Sequence, residues 1–202
     1  EADFGTGAAL LAWCEKHGTT LSEAFLAREA ALAESLGYAD RSLAYLHETL
    51  DVMKCAAQRP IDEALPSMGG LIGGEARKLA DLRERDGELC DDQLSCAIAY
   101  AMAVLETNAS MGRIVAAPTA GSSGVLPGVL LALQRTRGLS DGDLARGLAA
   151  AAAIGYLITR NATVSGAEGG CQAEIGSAAA MAAAASVELM GGAPAQCLDA
   201  AS

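Results

Sequence analysis

Aromatic side chains supply only 3% of this 202-residue chain, and no run alternates β-branched and polar residues. A half-buried sheet face needs such alternation, so the absence argues against strands. Basic residues are also short: 14 Lys and Arg against 25 Asp and Glu leave a net charge of −11. That balance excludes a nucleic-acid backbone as partner, because binding one requires a basic surface that displaces counterions. The chain has three lysines, Lys16, Lys54 and Lys78, and two histidines, His17 and His47. Few positions can therefore serve as a Schiff-base amine or an imidazole base.

Uninterrupted apolar runs are missing too. Ile114 to Leu133 carries no formal charge, but Pro118, Pro127 and a Gly-Ser-Ser-Gly turn break it. Gly147 to Thr159 is nearly all apolar yet falls short of the roughly 20 residues a membrane helix needs. No membrane association is expected. The opening Glu1-Ala-Asp lacks a basic flank before an apolar stretch, which predicts no secretory signal and a cytoplasmic location. Six cysteines, at 14, 55, 90, 96, 171 and 197, form no C-x-x-C pair and are too scattered for a disulfide scaffold. Apart from Cys171 they are expected to be small buried hydrophobes.

What remains is alanine, leucine and glycine, and the expected fold is all-α: one compact domain, residues 1–202, of Ala/Gly-rich helices around a central helix. Thr20-Leu-Ser-Glu23 reads as a capping box, with Gly37 ending that helix and Asp40 capping the next. In that next helix Leu43, Leu46, Leu50 and Met53 form an apolar stripe that Pro60 is expected to stop. Further helices are expected over about Glu75–Arg85, Asp91–Ala109 and Pro127–Arg137, and from a cap at Ser140 toward Arg160. The helix from Asp91 is expected to deliver Glu106 and Asn108 to the Pro-Thr-Ala-Gly-Ser-Ser-Gly turn.

Two loops concentrate polar groups between these apolar helices. One holds Thr119, Ser122 and Ser123; the other holds Asn161, Thr163 and Ser165. Polar groups set among buried helices must find partners, and a ligand is one way to provide them. The second loop runs into Gly169-Gly170-Cys171, a thiol directly after a glycine turn at a helix start. Amides there favour negative charge, which suits a thiolate acting as nucleophile or metal ligand, or a bound carboxylate.

The run Asn161-Ala-Thr-Val-Ser-Gly-Ala-Glu-Gly-Gly-Cys-Gln-Ala-Glu-Ile-Gly176, with Met111-Gly-Arg-Ile-Val-Ala-Ala-Pro-Thr-Ala-Gly-Ser-Ser-Gly-Val-Leu-Pro-Gly128, resembles the alpha chain of iron–sulfur-dependent L-serine dehydratases. The resemblance extends through Met68-Gly-Gly-Leu-Ile-Gly-Gly-Glu-Ala-Arg-Lys-Leu79, Glu106-Thr-Asn-Ala-Ser-Met-Gly112, Met181-Ala-Ala-Ala-Ala185 and Gly191-Gly-Ala-Pro194. It covers roughly the last two thirds of the chain.

The resemblance implies deamination of L-serine to pyruvate and ammonia, with a [4Fe-4S] cluster as cofactor, one iron of which stays open as a Lewis acid. Carried to matching positions, Cys171 is a cluster ligand and Thr119, Ser122, Ser123 and Gly124 lie beside the substrate, with Asn161 and Ser165 as further substrate contacts. No residue is assigned as catalytic base. The remaining cluster cysteines are expected beyond Ser202, so the 202 residues alone are expected to hold no intact cluster. The family's beta part, a subunit or a domain with a Ser-His-Thr-x-Gly-Pro-type motif, is the expected partner, in a homo- or hetero-oligomer. Three rivals stand beside this reading: a pyridoxal-phosphate dehydratase using a lysine such as Lys78, an iron–sulfur lyase releasing sulfide from L-cysteine, and a non-catalytic helical binding or assembly module.

Overall fold

The structure is a computed structural model that describes residues 4–83 and 90–202. The described residues form nine helices and no strand, as expected from the composition: α1 (Gly7–His17), α2 (Leu21–Ser35), α3 (Ser42–Asp62), α4 (Glu75–Arg83), α5 (Asp92–Ala109), α6 (Val125–Arg137), α7 (Asp141–Asn161), α8 (Gly166–Leu189) and α9 (Pro194–Ala201). The expected end of α4 at Arg85 lies outside the described residues. They divide into two compact units, Glu1–Glu48 with Asp141–Ser202, and Thr49–Ser140.

In the first unit α7 packs against both α2 and α8, and α8 also packs against α9. α7 is sealed along much of its length, with Leu144, Leu148, Ile154 and a series of alanines buried. Small residues permit that closeness. A Cβ added at Gly155 would stand 3.1 Å from the Met181 sulfur, at the edge of tolerable contact. The expected capping box opens α2: Glu23 N–H donates to Thr20 Oγ1 and Thr20 N–H to the Glu23 carboxylate. Gly37 follows with φ 74°, and the Asp40 carboxylate accepts from Ser42 N–H at 2.9 Å to start α3. The scarce aromatics gather here, with the Phe4 ring edge-on to Trp13 and Tyr156 and the Arg28 guanidinium 4.0 Å from the centre of the Tyr156 ring.

The second unit is built around α5, which packs against α4 and α6. Gly124 and Gly128, one turn apart at the start of α6, allow that contact: a Cβ at Gly124 would meet the Ala101 carbonyl oxygen at 2.5 Å, and one at Gly128 the Ala97 oxygen at 2.8 Å. Asp91 caps α5 by accepting from Leu94 N–H.

Two details of the expected α3 are corrected. Leu46, Leu50 and Met53 are buried, but Leu43 is 47% exposed, because it stands in the first turn before the helix meets its core. Pro60 lies inside the helix rather than ending it. Proline cannot donate to the carbonyl four residues back, and in its place the Thr107 hydroxyl of α5 donates to Ala56 O at 2.8 Å.

The last turn of α5 fastens the following and preceding loops. The buried Glu106 carboxylate accepts from Gly74 N–H (3.0 Å) and Ala76 N–H (2.8 Å), holding the start of α4. Met68 N–H donates to Ala109 O, and the Ser110 hydroxyl to Pro66 O, both at 3.0 Å. The helix ends with Gly112 N–H donating to Thr107 O at 2.8 Å, and with Met111 at φ 62°. Glycine is the usual residue at that left-handed position, and methionine there costs about 1 kcal/mol.

Candidate functional site

The first polar loop, residues 117–124 of the second unit, follows a cis Ala117–Pro118 bond and feeds α6. Ser122 and Ser123 are 1% and 0% exposed. The Ser122 hydroxyl accepts from Thr119 N–H (3.3 Å), lies 3.1 Å from Thr119 Oγ1 and reaches the carbonyls of Ala117 and Thr119. Ser123 Oγ donates to Ala120 O at 2.7 Å. Both hydroxyls thus close the turn, as buried polar groups must find partners. Gly124 is fixed by its contact with Ala101, while Thr119 stays half-buried at the loop's face. Glu106 does not join this turn: its carboxylate is held by the α4 amides.

The second loop lies in the first unit and is open. Asn161, the last residue of α7, donates its Nδ2 to Gly5 O and Leu157 O, both at 2.8 Å, leaving the amide oxygen as its remaining acceptor. Thr163 Oγ1 accepts from Ser165 N–H and donates to the Glu168 carboxylate. Ser165 takes the N-cap position of α8 without a side-chain capping bond. The expected loop to Gly170 is corrected: helix already begins at Gly166, and Gly170, with φ 76° and ψ 177°, breaks it, so the helix restarts at Cys171 as expected. Cys171 is exposed, and on the same helix the Glu174 carboxylate folds back to within 2.8 Å of where a Gly166 Cβ would sit. Glu174 was not singled out from the sequence. Its approach depends on the missing Gly166 side chain, which no spacing rule marks.

The other thiols sort by burial. Cys14, Cys96 and Cys197 are buried, as expected, and burial pushes all three up from the ordinary 9.0. Cys197 reaches about 11, with the Glu188 carboxylate adding to the effect of burial. Protonated thiols of that kind make poor nucleophiles and metal ligands. Cys90 is half-buried, 3.1 Å from Ser95 Oγ, and precedes α5. Cys55 corrects the expectation of a buried thiol, because it lies on the exposed side of α3.

Among the described residues no three His, Cys, Asp or Glu side chains gather into a metal-binding group. Cys171 therefore fits a cluster as a single exposed donor and not as a complete ligand set. His17 is engaged otherwise: its Nδ1–H donates to Trp13 O at 2.8 Å and its ring lies 4.2 Å from the Trp13 ring. Lys16 and Lys78 are exposed. No described helix is long and apolar enough to cross a membrane.

Residues 16–202 match the family described as serine dehydratase alpha chain. A probable L-serine dehydratase alpha chain of Bacillus subtilis (strain 168) is 39% identical over 180 residues, 89% of this chain and 59% of the relative. The L-serine dehydratase alpha chain of Peptoniphilus asaccharolyticus is 43% identical over 157 residues, 78% of this chain and 54% of the relative. An L-serine dehydratase of Streptomyces coelicolor is 37% identical over 195 residues, 96% of this chain and 42% of the relative. The chain thus spans about half the length of the curated relatives it matches.

Proposed function

Since the chain belongs to the serine dehydratase alpha chain family, we propose that it supplies the alpha part of an iron–sulfur L-serine ammonia-lyase, both units serving one catalytic domain that a beta subunit or domain completes. The observation that carries this is the exposed Cys171 thiol, standing immediately after the left-handed Gly170 break while three other thiols are buried and held protonated. Six free thiols suit a reducing, cytoplasmic setting.

A bound [4Fe-4S] cluster would supply Lewis-acid help for loss of the serine hydroxyl. Cys171 would be one of its ligands, the glycine break turning the thiol outward. Ser165 Oγ is spared from capping and can donate to a substrate carboxylate. The Asn161 amide oxygen can accept from the substrate ammonium, since Nδ2 is held by two carbonyls. Thr119 offers its half-buried hydroxyl. Ser122, Ser123 and Gly124 hold the Thr119 turn in shape, so their part in substrate binding runs through Thr119's position. The overall reaction removes the α-proton and the hydroxyl as water, and hydrolysis of the resulting imine gives pyruvate and ammonia.

The test is pyruvate formation from L-serine, measured anaerobically after iron and sulfide reconstitution of the complete enzyme with its beta part. Cys171→Ser is expected to lower activity by on the order of a hundredfold or more and to reduce the cluster absorbance. Full activity in that variant would overturn the ligand role. Sulfide from L-cysteine with no pyruvate from serine would overturn the substrate.

A further inference from the structure

The segment that carries Cys171 holds two carboxylates, and the fold treats them differently. Glu168, in the first turn of α8, accepts from Thr163 Oγ1 at 2.6 Å. Glu174, one turn beyond Cys171, is half-buried, and among the described residues it makes no hydrogen bond and no ion pair. A carboxylate that has given up part of its water without gaining a partner is costly, so its position calls for a cation from outside the described residues.

That position is set by glycines. A Cβ at Gly166 would meet Glu174 Cδ at 2.7 Å and Oε2 at 2.8 Å, and one at Gly169 would meet Ala173 Cβ at 2.6 Å and Thr163 Cγ2 at 3.1 Å. The restarted part of α8 therefore lies tight against its own first turn, and the Glu174 carboxylate occupies the space that a side chain at 166 would fill. That space adjoins Ser165, whose hydroxyl makes no capping bond, and Glu174 stands on the same helix one turn after the exposed Cys171 thiol. The relatives are named L-serine dehydratases, and L-serine carries an ammonium beside its carboxylate. Ser165 and Asn161 offer such a molecule neutral hydrogen bonds, and neither supplies the negative charge with which an ammonium pairs. Glu174 has that charge and nothing else to spend it on.

We infer that Glu174 is the anionic partner of the substrate ammonium, and that it sets the preference of the site for an α-amino acid over the same hydroxy acid without its amine. The inference rests on the alpha-type role proposed above and adds the residue that reads the amine.

The complete enzyme with its beta part tests it in two ways. Before iron and sulfide reconstitution, when L-serine is not consumed, equilibrium dialysis compares L-serine with 3-hydroxypropionate, which is serine without its ammonium; after reconstitution, pyruvate formation gives kcat and KM. Glu174→Gln keeps the shape and removes the charge, and with no internal partner to lose it is expected to leave the unfolding temperature unchanged. It is expected to weaken L-serine binding and raise KM by about tenfold or more, to leave kcat within about threefold, and to bind 3-hydroxypropionate no more weakly than wild type. Glu168→Gln, at the carboxylate already engaged by Thr163, is expected to change each of these by less than about twofold. A fall in kcat at unchanged KM in Glu174→Gln would make the residue a group acting on the reacting atoms and overturn the binding role. Equal losses in the two variants would mean a general negative field instead of a pair, and would overturn it as well. So would unchanged L-serine binding in Glu174→Gln, or a wild-type enzyme that takes L-serine no better than 3-hydroxypropionate. No pyruvate from the reconstituted wild type would overturn the proposed function itself, whereas pyruvate formed with the wild-type KM by Glu174→Gln would overturn the Glu174 assignment alone.

Discussion

The turn at 117–124 and the segment at 161–171 look alike in sequence and differ in what their polar groups do. In the first, Ser122 and Ser123 are buried and their hydroxyls bond to the loop's own backbone. In the second, Ser165 makes no capping bond and Cys171 is exposed after a helix break. Composition alone marks both as polar islands between apolar helices. The difference is where the hydrogen bonds close: onto the loop's own backbone, giving a frame, or not at all for Ser165, leaving its hydroxyl open.

The sharpest way to break that contrast is through the glycines. Gly124→Ala puts a methyl 2.5 Å from the Ala101 carbonyl, a backbone atom that cannot swing aside, and is expected to destabilise by about 3 kcal/mol. Gly176→Ala, in the α8 stretch after Cys171 with nothing within 4 Å of the new Cβ, is expected to stabilise by about 0.5–1 kcal/mol. Urea midpoints at equal slope measure both, and equal signs would erase the distinction between frame and open segment.

A smaller effect is expected from the serines. Ser122→Ala leaves the Thr119 amide without its acceptor and is expected to cost about 1–2 kcal/mol. Ser165→Ala is expected to stay within about 0.5 kcal/mol, since no capping bond is lost, and, on the proposed function, to raise KM for L-serine in the complete enzyme. A stability loss at Ser165 as large as at Ser122 would make both segments frames.

The thiols refine the comparison within the first unit. Cys197 is fully buried and its folded value lies near 11, above the ordinary 9.0 of an unfolded chain. The neutral thiol is favoured by the fold, so its contribution to stability is complete below about pH 9 and is lost as pH rises through 11. Cys197→Ala is expected to flatten the alkaline slope of unfolding free energy, by on the order of 1 kcal/mol between those limits. An unchanged slope would place the alkaline sensitivity elsewhere.

Local signals carried far. The Thr20 box, the Asp40 cap and the restart at Cys171 each depend on a few adjacent residues, and each was readable from them. The features that escaped depend on distant partners. Pro60 looks like a helix stop until Thr107 is seen to bond the carbonyl that proline leaves empty. Glu106 looks like a neighbour of the serine turn until its carboxylate is found on the α4 amides. That Ser122 and Ser123 close their own turn depends on acceptors on a backbone whose path the sequence does not state. Leu43 and Cys55 show that a stripe's ends and sides depend on where the neighbouring core begins.

The bond from Thr107 to Ala56 also ties two positions together. Loss of the hydroxyl at position 107 leaves the Ala56 carbonyl unpaired and is expected to cost about 1–3 kcal/mol while proline stands at 60, and less where position 60 regains a backbone N–H. Substitutions at the two sites, far apart in the chain, are therefore expected to be non-additive in stability.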